Sequence, residues 1–173
     1  MADIPDQLVL KVARDREGKR DVAFRTIAVS VLFVFLALGL FNLFGQHPSA
    51  TTAEAAAASL EVYAPERVRG GLYYEARFRV DAIRELKKAT LVLDPGWAEG
   101  ITINTVEPSP LGEASRDGKL VFELGRIPAG QKHVFFLQLQ VNPTNVGHRS
   151  QDVQLFDGEE LIATVDRSIT VFP

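Results

Sequence analysis

The sequence predicts a mainly-β protein with a single N-terminal transmembrane helix followed by an antiparallel β-sandwich. Three observations predict it. No Asp, Glu, Lys or Arg occurs between Arg25 and Glu54, and this gap holds a long apolar run. From about Ser59 the apolar residues recur with a period of two, and turn residues follow every eight to twelve positions. No long helical pattern interrupts those short runs, so crossover helices and a parallel sheet are not expected. The whole-chain averages conceal this division: 173 residues, a formal charge of −3 and 46% hydrophobic residues describe an ordinary soluble chain.

The residues 1–25 form a predicted cytoplasmic tail. Lys11, Arg14, Arg16, Lys19, Arg20 and Arg25 precede the apolar run, and no further Lys or Arg occurs until Arg67. Basic residues flanking a span are retained on the cytoplasmic side, so the N-terminus is expected inside and the C-terminal portion outside. Five acids accompany the six bases, which leaves the tail at +1 and favours orientation over specific lipid recognition.

The residues 26–44 form the predicted transmembrane helix. Ile27 to Phe44 reads IAVSVLFVFLALGLFNLF, in which thirteen of eighteen residues are Leu, Ile, Val or Phe. At ~1.5 Å per residue the segment spans roughly 28 Å, close to the ~30 Å hydrocarbon core of a bilayer. Apolar residues surround the whole helix, unlike those of an amphipathic surface helix. A cleaved signal peptide has a shorter apolar region of ~7–15 residues. Gly39 and Asn42, three apart, are the candidate helix-packing positions, because small and polar residues let neighbouring helices approach.

The residues 45–58 read as a flexible linker. GQHPSATTAEAAAA is small, polar and carries one charge, and nothing in it has a core to pack on. The residues 59–173 form the predicted extracytoplasmic sandwich. In Leu72–Ala82, Tyr74, Ala76, Phe78, Val80 and Ala82 share one face, and Tyr73, Glu75, Arg77, Arg79 and Asp81 share the other. Leu91 and Leu93, then Leu120, Phe122 and Leu124, then Phe135, Leu137, Leu139 and Val141 repeat that alternation. Asp94-Pro95-Gly96, Arg116-Asp117-Gly118 and Asp157-Gly158 mark turns. Seven to nine strands in two face-to-face sheets follow. Arg167 falls on an inward phase and requires a bulge or an edge position.

Leu124-Gly125-Arg126-Ile127-Pro128-Ala129-Gly130-Gln131 precedes the long strand Val134–Val141, and Asn142-Pro143 and Gly147 follow it. This order resembles that of bacterial extracellular immunoglobulin-like domains. Val68-Arg69-Gly70-Gly71 ahead of the Tyr74–Ala82 strand fits the same pattern. The resemblance implies an immunoglobulin-like sandwich with an adhesive or accessory role, and it carries no catalytic residues.

Chemistry-bearing motifs are sparse. The absence of Cys excludes disulfide scaffolds, thiol catalysis and Cys-based zinc or iron–sulfur sites. A mildly acidic chain lacks the basic face that nucleic acid requires. The sequence has no G-x-S-x-G, P-loop, G-x-G-x-x-G or H-E-x-x-H motif. His133 and His148 lack a third ligand, and Asp157, Glu159 and Glu160 lack the spacing of a calcium loop. No enzyme activity, cofactor or metal is therefore expected. The candidate partner contacts are Trp97, with Tyr73 and Phe136 on the outward strand faces; the Trp97 turn either presents the indole to a partner or, as the commoner outcome, plugs one end of the sandwich with it. The expected partners are the lipid bilayer and a membrane or envelope protein. The expected role is that of a membrane-anchored, non-enzymatic interaction module. The alternative is a glycan- or cell-wall-binding module, which needs an exposed aromatic and which a buried Trp97 indole would deprive of its main platform.

Overall fold

The computed structural model describes residues 7–41 and 45–173, with side chains from residue 20 onward. The chain divides into two compact units, residues 1–45 and residues 46–173. Asn42 and the expected end of the span at Phe44 lie outside the described residues.

In the first unit, helix α1 spans Gln7–Leu40. No Pro interrupts this stretch, so the backbone hydrogen bonds run unbroken. The stretch Arg20–Leu40, 21 residues, is long and apolar enough to cross a membrane. Its large apolar residues, from Val22 and Phe24 through Leu40 and Phe41, are all exposed. Thr26 satisfies its hydroxyl within the helix by donating to the Val22 carbonyl at 2.8 Å, which lowers the cost of carrying that group into an apolar medium.

The second unit is built from strands. They are β1 (Pro48–Glu54), β2 (Ala58–Pro65), β3 (Arg67–Arg69), β4 (Tyr73–Ala82), β5 (Leu86–Leu93), β6 (Ile101–Glu107) and β7 (Gly112–Arg116). Then come β8 (Lys119–Ile127), β9 (Lys132–Val141), β10 (Gly147–Ser150), β11 (Val153–Asp157), β12 (Glu160–Val165) and β13 (Ser168–Phe172). One five-stranded sheet runs β1-β2-β4-β9-β6 and a second runs β12-β11-β5-β8-β7. The two face each other across one core, in which Phe122 of β8 meets Phe135 of β9 with ring centroids 5.1 Å apart.

The alternation read from sequence places the core as expected. Tyr74, Ala76, Phe78, Val80 and Ala82 are buried, as are Leu91, Leu93, Phe135, Leu137, Leu139 and Val141. The Asp117-Gly118 turn joins β7 to β8 with φ of 53° and 77°, the left-handed pair that a tight two-residue hairpin requires. At the other hairpin, Asp157 pairs with Glu160, so the loop is Gly158-Glu159 and Gly158 alone carries the positive φ.

Three expectations are corrected. The linker 45–58 is not a free spacer: β1 occupies half of it and pairs with β2 from Pro48↔Pro65 to Glu54↔Ser59. Its half-buried set is Ser49, Thr51 and Ala53, too small to show an apolar period, and Pro48 stands at the strand's first residue, where a missing N–H is tolerated. The domain therefore begins near residue 46, not at 59. The strand count is thirteen among the described residues, because β3, β7 and β10 are short and made mostly of charged and small residues. Finally, β10-β13-β3 form a third sheet in which β13 and β3 run parallel, where only antiparallel pairing was expected.

Candidate functional site

Trp97 ends the 3-10 turn Pro95–Trp97. Its indole is fully buried, at 0% exposure, and packs on Phe78 with centroids 5.2 Å apart. The turn can lie this deep because Gly96 passes against the Ser150 carbonyl, where a Cβ would collide. Trp97 is thus the plug of the core, the commoner of the two placements that its turn position offered, and not a partner contact.

A polar cluster surrounds the plug. Trp97 Nε1 donates to the Gln151 carbonyl at 3.0 Å. Gln151 Nε2 reaches the Tyr74 hydroxyl and the Gly96 carbonyl, both at 3.3 Å. The Arg167 guanidinium lies 5.4 Å from the Trp97 ring centroid, and its Nη2 donates to the carbonyls of Ala64 and Pro65 at 3.2 Å. The inward Arg167 is accommodated in the break between β12 and β13, with its N–H donating to Asp152 at 2.9 Å. Burial pushes the Tyr74 phenol up to about 12 and moves the Arg167 guanidinium below its ordinary value. These groups tie the ends of β2, β4, β11 and β13 together, and nothing in the cluster opens to solvent.

Tyr73 and Phe136 do share a surface, the outward face of the β1–β6 sheet. Tyr73 is 65% exposed and Phe136 is half-buried. The pairing register lays Tyr63, Arg77, Phe136 and Glu107 in one row across β2, β4, β9 and β6. Arg77 stacks over the Tyr63 ring at 4.8 Å. Tyr73 pairs instead with Gln140, four residues along β9 from Phe136, which at ~3.4 Å per residue separates the two aromatics by roughly 14 Å. Val92 and Val121, also outward, are paired on the other sheet. The outward apolar residues therefore do not form one patch.

One opening lies on a flank of the domain. β6 and β7 are the last strands of the two facing sheets. Between them lies a cleft of about 420 Å³ lined by Ile103, Val106, Leu120 and Phe122, with Glu113 at its rim. A second hollow of about 220 Å³ lies on the other face of β6, among Glu75, Thr105, Glu107, Phe136 and Gln138. Sequence reasoning missed this flank. Its organising feature is a bulge between Ile103 and Thr105, where Asn104 is the extra residue. The bulge turns Val106 inward and Thr105 and Glu107 outward, against the phase that Ile101 and Ile103 would set. The local signal was the step of three from Ile103 to Val106 in a run that otherwise steps by two.

The remaining candidates separate. His133 opens β9 and His148 lies on β10, and eight residues of β9, about 27 Å of strand, separate His133 from the turn that leads to His148. Burial lowers the His133 pKa, and its Nε2 meets no partner among the described residues. His148 Nδ1 lies 3.1 Å from the Thr170 hydroxyl. No group of three or more potential metal ligands occurs among the described residues. At the β11–β12 hairpin, Asp157 accepts from the Lys88 N–H at 2.7 Å and Glu160 pairs with Arg84 at 2.9 Å. Gly39 lies on α1 with open space around it.

No family model and no curated protein matches the chain. Among solved structures, the chain is similar to the crystal structure of a β-glucosidase from Listeria innocua in complex with gluconolactone. That likeness has a TM-score of 0.35 and 13% identity, over 75% of this chain and 16% of the glucosidase. The match thus spans about a sixth of that enzyme's length, and at this level it carries no argument about activity.

Proposed function

We propose that the protein is a single-pass, membrane-anchored accessory module that presents an immunoglobulin-like β-sandwich outside the membrane and acts by contact, without catalysis. One observation carries the reading: a 21-residue stretch of α1 has its large apolar side chains exposed all round, and in water that surface has no compensating contacts. A bilayer supplies them. The helix acts as a signal-anchor in the cell membrane, with the six bases that precede it on the cytoplasmic side. Anchoring confines the β-domain near the membrane and raises its effective concentration toward other envelope proteins. Burial of Trp97 removes the stacking platform on which a glycan-binding alternative chiefly rested.

Protease digestion of intact cells compared with inverted membrane vesicles tests the orientation. We expect the β-domain to be cut from intact cells once the outer layers are permeabilised, and to be protected inside inverted vesicles. The reverse pattern would place the domain in the cytoplasm and overturn the reading.

A further inference from the structure

We infer that the open flank between β6 and β7 is a strand-docking groove, and that its occupant is an extended segment of a partner polypeptide in which apolar residues alternate with basic ones. This deepens the contact role proposed above by naming the surface and the chemistry of the partner. It rests on that reading only for where the partner is met.

The backbone comes first. β6 has a neighbour, β9, on one side only, and β7 likewise pairs only with β8. An edge strand exposes a row of N–H and C=O groups that an added strand can pair. At the opposite flank β12 lies against both β1 and β2, so the space between the sheets is covered there.

The side chains then select the occupant. Successive residues of an added strand point to opposite faces. Those on the inner face of β6 enter the cleft lined by Ile103, Val106, Leu120 and Phe122. Its volume of about 420 Å³ exceeds the ~150 Å³ of a cavity that holds a benzene ring, so aliphatic side chains fit. Those on the outer face come beside Thr105 and Glu107, where Glu75 also faces the hollow. The bulge at Asn104 produces this division, since without it Val106 and Glu107 would exchange faces.

Charge complementarity sets the sign. Glu75, Glu107 and Glu113 make no ion pair among the described residues. Several carboxylates elsewhere do, such as Asp81 with Arg79, Glu85 with Arg126 and Glu160 with Arg84, whereas at the flank three acids without an ion pair stand around one cleft and its neighbouring hollow. Glu75, Glu107 and Glu113 border the β6–β7 flank, and a basic segment neutralises them at the rim, where charge steers association and discriminates partners.

The test is a titration of the full chain in nanodiscs of neutral lipid with four synthetic peptides. The first alternates Val with Lys. The second alternates Val with Glu, the third alternates Ser with Lys, and the fourth is the Val–Lys peptide with alternate amides N-methylated. We expect the Val–Lys peptide to bind and the other three to bind about tenfold more weakly or not at all. Glu107→Lys, at an exposed position that leaves the core intact, should weaken Val–Lys binding about tenfold and strengthen Val–Glu binding. Absence of Val–Lys binding overturns the inference. Equal binding of the Ser–Lys peptide, which would reduce the effect to charge, overturns it too. So does indifference to N-methylation, which would show that no strand is added. The orientation experiment fails independently of this one: a reversed topology leaves the groove intact, and a failed titration leaves the anchor intact.

Discussion

The β-domain finishes one side of its core and leaves the other unfinished. On the finished side, β12 closes against β1 and β2, and the residues there are small: Ala53, Ala55, Ala57 and Ala58 all pack on the core. Near one end, Trp97 fills the interior and Gln151, Tyr74 and Arg167 hydrogen-bond around it. On the unfinished side, the larger Ile103 and Val106 remain half-buried beside a cleft. Small residues let the sheets approach until packing is dense, whereas a bulged edge holds them apart. The difference teaches that apolar content alone does not settle which flank is closed. Backbone approach settles it.

The comparison is broken most severely at the plug. Trp97→Ala removes the largest fully buried side chain and leaves the Gln151 carbonyl without its donor. We expect about 3–5 kcal/mol of lost stability by chemical denaturation. A loss below about 1 kcal/mol would mean that this end is as loosely packed as the open flank.

Alkaline titration reads the same region without changing its packing. The Tyr74 phenol is raised from 10.0 to about 12 in the folded protein. Between those values the unfolded chain has lost a proton that the folded chain still holds. Stability is therefore complete below about pH 10 and falls as pH rises through about 12, by about 2–3 kcal/mol in all. Denaturation midpoints measured across this range should slope downward, and the slope attributable to this group should vanish in Tyr74→Phe.

The smallest effect comes from adding the same kind of bulk on each flank. Ala58→Leu adds methylenes at a residue with no exposure and should cost about 1–3 kcal/mol. Val106→Leu adds one beside the cleft and should change stability by no more than about 0.5 kcal/mol. Equal costs in thermal unfolding would show that the cleft is closed in solution.

Much of this architecture is legible in the primary structure, and for local reasons. The inward phases of β4, β5, β8 and β9 follow from alternation, because a buried strand face requires apolar residues at every second position. The Asp117-Gly118 hairpin follows from backbone sterics. The apolar stretch of α1 follows from its composition. β1 was not legible, because its half-buried residues are Ser49, Thr51 and Ala53 and they are held by pairing with β2. For Trp97 the sequence favoured a plug but not what holds it: the chain that folds back over the indole comes from Gln151, 54 positions away.

The sequence by itself determined the division between an apolar helix and a domain of alternating strands, since periodicity and hydropathy depend on near neighbours alone. Only the tertiary structure decided which turn is buried, which spacer becomes a strand and which flank stays open. Those outcomes depend on contacts between residues far apart in the chain. The one-residue bulge at Asn104 inverts the faces of β6 beyond Ile103, and its trace in the sequence is a single step of three, from Ile103 to Val106, too short to distinguish from the end of a strand.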